Sequence, residues 1–373
     1  MKIGIDTFAC NIGVSGVGVY LTQILKRIPI SSVKYELFGW EFDRFAFADL
    51  DNKIDFVSVG RISGKTANSL WHVFKYSRFA IKRKYDICFF PAAHRRLPNR
   101  FPCASVGTVH DMAAYWGTRK TREHLGAVLR IALPDSLRRL DRIIAVSEWV
   151  KHELIEMTGV KEFQIEVIPN GVDCSVYYPR TEEDDAVVEP FGFKRPYILY
   201  ASRLHHPIKN HITLIKAFEI FKEKTKFPHR IVFAGSDDHG AGTIRAAAFN
   251  SKYKNDIFFT GNFPSKNLPG LYAGAHFAVI PSRYEGFGQS AIESMASGIP
   301  VACARAAALP ETAEHAALYF DPENAEDMAE RMISLATDSE IYMRCRAAGL
   351  ERAKLFSWNI CAERTIRILQ ETV

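Results

Sequence analysis

Residues 281–301 read Pro281-Ser282-Arg283-Tyr284-Glu285-Gly286-Phe287-Gly288-Gln289-Ser290-Ala291-Ile292-Glu293-Ser294-Met295-Ala296-Ser297-Gly298-Ile299-Pro300-Val301. The apolar run before them, residues 275–280, predicts a buried strand. A glycine turn follows, then a short helix starting near Gly288 or Gln289 and ending near Gly298, with Pro300 opening the next strand. A strand, a glycine turn and a helix N-terminus form a ready anion site, because unpaired N–H groups and the helix dipole point into the crevice. Glu293 falls about one turn inside the helix, where it can accept hydrogen bonds from a sugar diol while backbone amides hold phosphates. Glu285, on the turn, would face the other end of the same ligand. The pattern suits a nucleotide-sugar; the plainer alternative is two solvated glutamates at the ends of a loop.

A length of 373 residues is enough for two domains, each with its own core. The apolar and charged fractions are those of an ordinary globular chain. No apolar run approaches the roughly 20 residues that span a bilayer. The N-terminus goes straight into a strand pattern with no signal peptide, which leads to the expectation of a cytoplasmic protein. Cys10, Cys88, Cys103, Cys174, Cys303, Cys345 and Cys361 are odd in number and lack Cys-x-x-Cys spacing, so they read as reduced thiols rather than a disulfide framework or a zinc site. The net charge of +6 lies in the first half of the chain. Local clusters there are Arg78, Lys82, Arg83 and Lys84; His94, Arg95, Arg96 and Arg100; and Arg119, Lys120 and Arg122. Such a half could meet anionic headgroups, a lipid-diphosphate acceptor or nucleic acid, or simply carry solvated charge.

Apolar strand-like runs alternate with longer amphipathic stretches, which predicts α/β layers with parallel sheets. Strands are expected at 2–5, 35–40, 87–90, 105–109 and 143–146, and again at 197–201, 230–234, 257–260, 275–280, 301–304 and 317–319. Helices are expected at 17–27 (with Val19, Leu21, Ile24, Leu25 and Ile28 apolar), after an N-cap at Ser147, and at 210–224, 327–336 and 339–353. The acidic stretch 181–190 reads as the interdomain connection. Two Rossmann-like units facing each other would place a ligand cleft between their strand C-terminal ends.

Further motifs fall on those strand ends. Arg203 offers a rigid fork of donors and Lys209 an ammonium, a pair suited to a diphosphate leaving group on which negative charge builds. Thr108-Val109-His110-Asp111 ends a strand, where a His-Asp pair can polarise a substrate, orient a hydroxyl or act as acid and base; hydrogen bonding of His110 to nearby backbone is the alternative. Gly13-Val14-Ser15-Gly16-Val17-Gly18 joins the first strand to the first helix, and its spacing is not the dinucleotide fingerprint Gly-x-Gly-x-x-Gly. No Asp-x-Asp motif stands near a strand end, and Asp237-Asp238 reads as part of a surface loop.

Taken together, these motifs resemble the retaining GT-B glycosyltransferases of family 4 (group 1), and within them the mannosyltransferase-like subgroup. The family's donor segment reads Pro-Ser-x-x-Glu-Gly-Phe-Gly and then Glu-Ala-Met-Ala-x-Gly-x-Pro-Val; this chain departs at Gln289-Ser290 and at Ser294. It also carries His205-His206 where a short acidic or glycine-bearing stretch is usual. The resemblance implies a GT-B fold: an acceptor-binding domain over residues 1–175, a nucleotide-sugar domain over 176–355, and a C-terminal helix at 356–373 crossing back to the first.

It also implies roles for particular residues. His110, Asp111, Arg203, Lys209 and Glu285 would be the catalytic set. Gly16, Gly18, Arg203, Lys209, Gly261, Asn262, Glu285, Gly286, Phe287, Gly288, Gln289, Ser290 and Glu293 would bind the donor, with Glu293 on the ribose. Leu309-Pro310-Glu311 would close over the donor sugar's side. No metal or other cofactor is required, because the cations and the helix dipole can do that work. The expected reaction moves a hexose, mannose from GDP-mannose first, onto a glycan or lipid-linked saccharide in cell-surface polysaccharide synthesis, with peripheral membrane contact through the basic first half and no nucleic-acid partner. An epimerase or a disaccharide synthase of the same fold is the nearer alternative. A non-catalytic anion-binding protein is the remoter one, since no stacked aromatics or recognition helix accompany the charge.

Overall fold

The computed structural model describes residues 1–10, 13, 15–29, 32–50, 54–60, 65–113, 127–179 and 193–373. Val14, the basic cluster Arg119, Lys120 and Arg122, and the expected connection at 181–190 lie outside the described residues. The chain divides into two compact units, one of Met1–Gly171 with Trp358–Val373, the other Val172–Ser357.

The first unit runs β1 (Lys2–Asp6), α1 (Gly16–Leu25), β2 (Lys34–Gly39), β3 (Ile54–Ser58), α2 (Lys65–Phe74), α3 (Tyr76–Arg83), β4 (Ile87–Phe90), β5 (Ala104–Val109), α4 (Ala127–Arg138), β6 (Arg142–Ala145), α5 (Glu148–Thr158) and β7 (Ile165–Val167). Among the described residues its strands form one parallel sheet in the order β3-β2-β1-β4-β5-β6-β7. A parallel sheet is covered on both faces, so its central strands are apolar throughout rather than alternating; all four residues of β4 are buried. In α1, Val17, Tyr20, Leu21, Ile24 and Leu25 face the core, whereas Val19, expected to join them, is 46% exposed on the opposite face. Ser147 caps α5, accepting a hydrogen bond from the Val150 N–H at 3.1 Å.

The second unit runs β8 (Tyr197–Ala201), α6 (His211–Thr225), β9 (Arg230–Ala234), α7 (Ala241–Phe249), β10 (Ile257–Phe259), α8 (Leu268–Ala273), β11 (Phe277–Ile280), α9 (Gln289–Ala296), β12 (Val301–Ala304), α10 (Leu309–Ala313), β13 (Ala317–Phe320), α11 (Ala325–Thr337) and α12 (Ser339–Lys354). Its sheet, again parallel, has the order β10-β9-β8-β11-β12-β13. The last helix, α13 (Trp358–Glu371), leaves this unit and completes the core of the first, where Trp358, Cys361, Ala362, Ile366, Ile368 and Leu369 pack with residues of α1, β1 and β2. Arg27 Nε donates to Asn359 Oδ1 at 2.6 Å, and Arg364 pairs with Glu166 at 2.9 Å.

Each sheet has one point where the strand order reverses: between β1 and β4 in the first unit, between β8 and β11 in the second. Crevices at the carboxyl ends of such strands are where open α/β sheets bind ligands. The fold is thus that of two Rossmann-like α/β units. No helix among the described residues is long and apolar enough to cross a membrane.

Candidate active site

In the second unit the loops leaving β8, β9, β11 and β12 carry the polar groups singled out by the sequence. Arg203 follows β8, and its guanidinium lies 2.6 Å from Asp238 Oδ2 at the end of β9. The same oxygen is 3.2 Å from His205 Nδ1. Asp238 is therefore a partner of Arg203, not an idle loop residue, whereas neighbouring Asp237 pairs with Arg245 at 2.7 Å. Lys209 is not a free ammonium either, because its Nζ donates to Glu285 Oε1 at 2.6 Å. That oxygen also accepts from Ser282 Oγ at 2.6 Å, and Tyr200 Oη lies 2.8 Å from Ser282 Oγ and 3.0 Å from Lys209 O. Both cations expected on a diphosphate thus rest on carboxylates.

Asn210 explains how Lys209 is placed. It sits in the left-handed region at φ 55°, which Asn tolerates better than most residues. Its Nδ2 donates to Pro281 O and Pro322 O, at 3.1 and 2.7 Å, tying the loop after β8 to the segments after β11 and β13. Nothing in the sequence pattern marked that role.

The turn into α9 depends on Gly288, at φ 96°, where a Cβ would also meet Leu309 Cδ2 at 3.0 Å. The first segment of α10 packs on this turn, with Ala308 N–H donating to Glu285 O at 3.2 Å and Thr312 Oγ1 bonded to Phe287 O. Gln289 and Ser290, half-buried, begin α9, and Gln289 Nε2 donates to Glu293 Oε1 at 3.2 Å. Tyr272 Oη donates to Glu293 Oε2 at 3.0 Å. Burial pushes the Glu293 carboxyl up to about 7, against the pull of hydrogen bonds from Tyr272, Gln289 and Tyr177. Near neutrality this carboxyl is poised between donor and acceptor. Gly261, after β10, is at φ 64° with open space around its Cα, next to Asn262.

In the first unit, His110 and Asp111 follow β5. His110 Nε2 bonds Pro91 O at 2.9 Å, which makes it the donor nitrogen and leaves Nδ1 with a lone pair. Its ring stands edge-on to Tyr20 at 4.8 Å. Asp111 has its own partners: Oδ1 accepts from the Ala113 N–H at 3.1 Å, and Oδ2 is 3.8 Å from His94 Nε2. Burial drives His94 down to about 3 and His110 to about 4, so both are neutral at physiological pH. A neutral His110 can accept a hydrogen bond from a hydroxyl but brings no positive charge.

Gly16, at the start of α1, has nothing within 4 Å of a hypothetical Cβ. Gly18 is different. A Cβ there would meet Cys10 O at 2.6 Å, and its N–H is already given to the capping Ser15 Oγ at 3.1 Å.

Two family models match the chain in tandem, Glycosyltransferase Family 4 over residues 14–176 and Glycosyl transferases group 1 over residues 182–352. Among curated relatives, O-antigen chain mannosyltransferase B of Escherichia coli is 26% identical, over 98% of each chain. Mannosylfructose-phosphate synthase of Agrobacterium fabrum is 28% identical over 62% of this chain and 53% of its own. Among solved structures, Anabaena Alr3699/HepE in complex with UDP-glucose superposes with a TM-score of 0.79 at 18% identity, covering 100% of both chains. Sucrose-phosphate synthase from Thermosynechococcus elongatus gives 0.78 at 18% identity, over 100% of this chain and 98% of that one. These likenesses, with two Rossmann-like units, define a GT-B glycosyltransferase, an enzyme that transfers a hexosyl group. The chain belongs to family 4, group 1, of these enzymes.

Proposed function

We propose that this enzyme is a retaining transferase that moves mannose from GDP-mannose to a hydroxyl of a glycan or lipid-linked saccharide in cell-surface polysaccharide synthesis. The carrying observation is the set of Arg203, Lys209 and Glu285 in the loops after β8 and β11 of one unit, with Lys209 and Glu285 2.6 Å apart and Glu293 in the following helix α9. Glu293 would hold the ribose, Arg203 and Lys209 the diphosphate, and Glu285 with the amides around Gly286, Phe287 and Gly288 the sugar. The bond from C1 to the β-phosphate oxygen breaks, and the acceptor oxygen bonds C1 from the same face. The departing phosphate takes the acceptor's proton. Two fixed cations and the α9 N-terminus stabilise the charge on that phosphate, which is why the reading includes no metal. The choice of mannose rests on the similarity to the Escherichia coli mannosyltransferase. The similarity to mannosylfructose-phosphate synthase supports a second reading, transfer to a small sugar phosphate.

The reading includes contact with an anionic membrane surface. Leu70, Val73, Phe74 and Ile81 are 52, 39, 71 and 64% exposed. They recur at helical steps along α2 and α3, among exposed Lys75, Arg78, Lys82 and Lys84.

Release of nucleoside diphosphate from GDP- and UDP-sugars, with oligosaccharide, sugar-phosphate and lipid-linked acceptors, tests the assignment. Release from GDP-mannose should survive EDTA and fall by at least 100-fold in E293A and in R203A. Full turnover in both variants would sink the donor site, and dependence on a divalent ion would sink the metal-free mechanism.

A further inference from the structure

The first unit has its own reversal of strand order, between β1 and β4, and the loops leaving those strands carry a charge the donor chemistry does not use. Arg96, in the loop after β4, is half-buried, and its Nη1 is shut off from water with no hydrogen bond. Among the described residues its side chain has no hydrogen bond or ion pair at all. A buried guanidinium left this way is costly, because its hydration is lost and nothing replaces it. The opposite charge that acts on it most is Asp6, at the end of β1. Asp6 is already committed, however, with Oδ2 at 2.6 Å from His72 Nε2 and Oδ1 accepting from Phe8 N–H at 2.8 Å. Asp111, a further carboxylate acting on Arg95 of this loop, is spent on the Ala113 amide and faces His94. Arg95, its neighbour in sequence, is exposed; among the described residues its one side-chain hydrogen bond is from Nε to the neutral His94, at 3.2 Å, which leaves the rest of its fork open.

We infer that Arg96, with Arg95 beside it, holds a phosphoryl group of the acceptor at the strand-order reversal of the first unit. A dianionic group offers three tetrahedral oxygens, enough for the Nε and Nη2 donors of Arg96 and the fork of Arg95 together, and its charge compensates the occluded Nη1. A carboxylate would fill one fork and leave the second cation unmatched. Assigning this group to the acceptor rests on the donor reading, in which Arg203 and Lys209 of the second unit take the donor diphosphate. The phosphoryl group belongs either to a small sugar phosphate or to a lipid-linked diphosphate.

Calorimetric titration of the full chain and its variants tests this. The probes are inorganic pyrophosphate, mannose 1-phosphate, farnesyl diphosphate and glucuronate; the proteins are wild type, R96M, R96K and R203M. Wild type should bind two pyrophosphates, and R96M and R203M one each. Mannose 1-phosphate or farnesyl diphosphate should bind R96M at least tenfold more weakly than wild type, with R96K between them, and the one that weakens names the source. R96M should melt no lower than wild type, because a buried unpaired cation has been removed; an arginine needed only for packing would lower the melting point. Unchanged pyrophosphate stoichiometry in R96M, or glucuronate binding as tightly as the phosphates, would overturn the assignment. Two sites retained in R203M with one lost in R96M would count against the donor reading and leave the Arg96 site standing.

Discussion

Glu293 carries a pH dependence whose sign follows from its burial. In the unfolded chain the carboxyl ionises from about 4.5; in the fold it holds its proton up to about 7. Between those values the unfolded chain has lost a proton that the folded one keeps, so the native state loses stability as pH rises through this window and is level above it. Against E293Q, the wild type should lose up to about 3 kcal/mol from pH 4.5 to 7, an upper bound because the side chain is only partly buried. Parallel urea-denaturation series across this range would refute it. Donor binding runs the other way. If the ionised form accepts the ribose hydroxyls, affinity for GDP-mannose should climb as pH passes 7 and level off above, and E293Q should bind weakly at every pH. At this scale the sequence was only half informative. Arg203, Lys209, Glu285 and Glu293 could be picked out because each lies inside a short motif. Asp238, Tyr272 and Asn210 could not, because their partners stand 35, 21 and 71 or more residues away and meet only once β8 has paired with β9 and β11 and helices α8 and α9 have packed together.

Elements were legible where the physics is local. Four-residue apolar runs such as Ile87–Phe90 and Val301–Ala304 are strands as read, because a doubly covered parallel strand has no polar face to confuse the pattern. Residues 40–86 were harder. β3 is an edge strand of half-buried residues, and α2 and α3 turn apolar side chains outward, so their periodicity does not point to a core. That same outward face makes a prediction for the membrane reading. The protein should sediment with phosphatidylglycerol vesicles at low salt and not with phosphatidylcholine, and F74S/I81S should weaken the binding severalfold. Binding unaffected by both salt and substitution would refute it. The turn into α9 predicts differently. G288A should destabilise the protein by roughly 1–2 kcal/mol because the left-handed backbone must carry a Cβ. Denaturant midpoints measure this, and the variant's donor KM should rise as the α9 N-terminus shifts.

On the scale of the whole molecule, α13 belongs to the core of a unit whose other residues end at Gly171. Its Trp358, Ile366, Ile368 and Leu369 are buried there, each contributing about 1.5–3 kcal/mol of apolar burial. A chain truncated after Ser357 should therefore lose the first unit while keeping the second, since their sum rivals the total stability of a typical domain. Hydrogen exchange of the truncated protein would check this; uniform native protection in the first unit would refute it. Only the second unit is continuous in sequence, at Val172–Ser357. On the ribosome, then, the usual order of domain completion is inverted. The first unit must wait, its sheet lacking one covering helix, until residues 358–373 leave the exit tunnel, and it becomes native after the second.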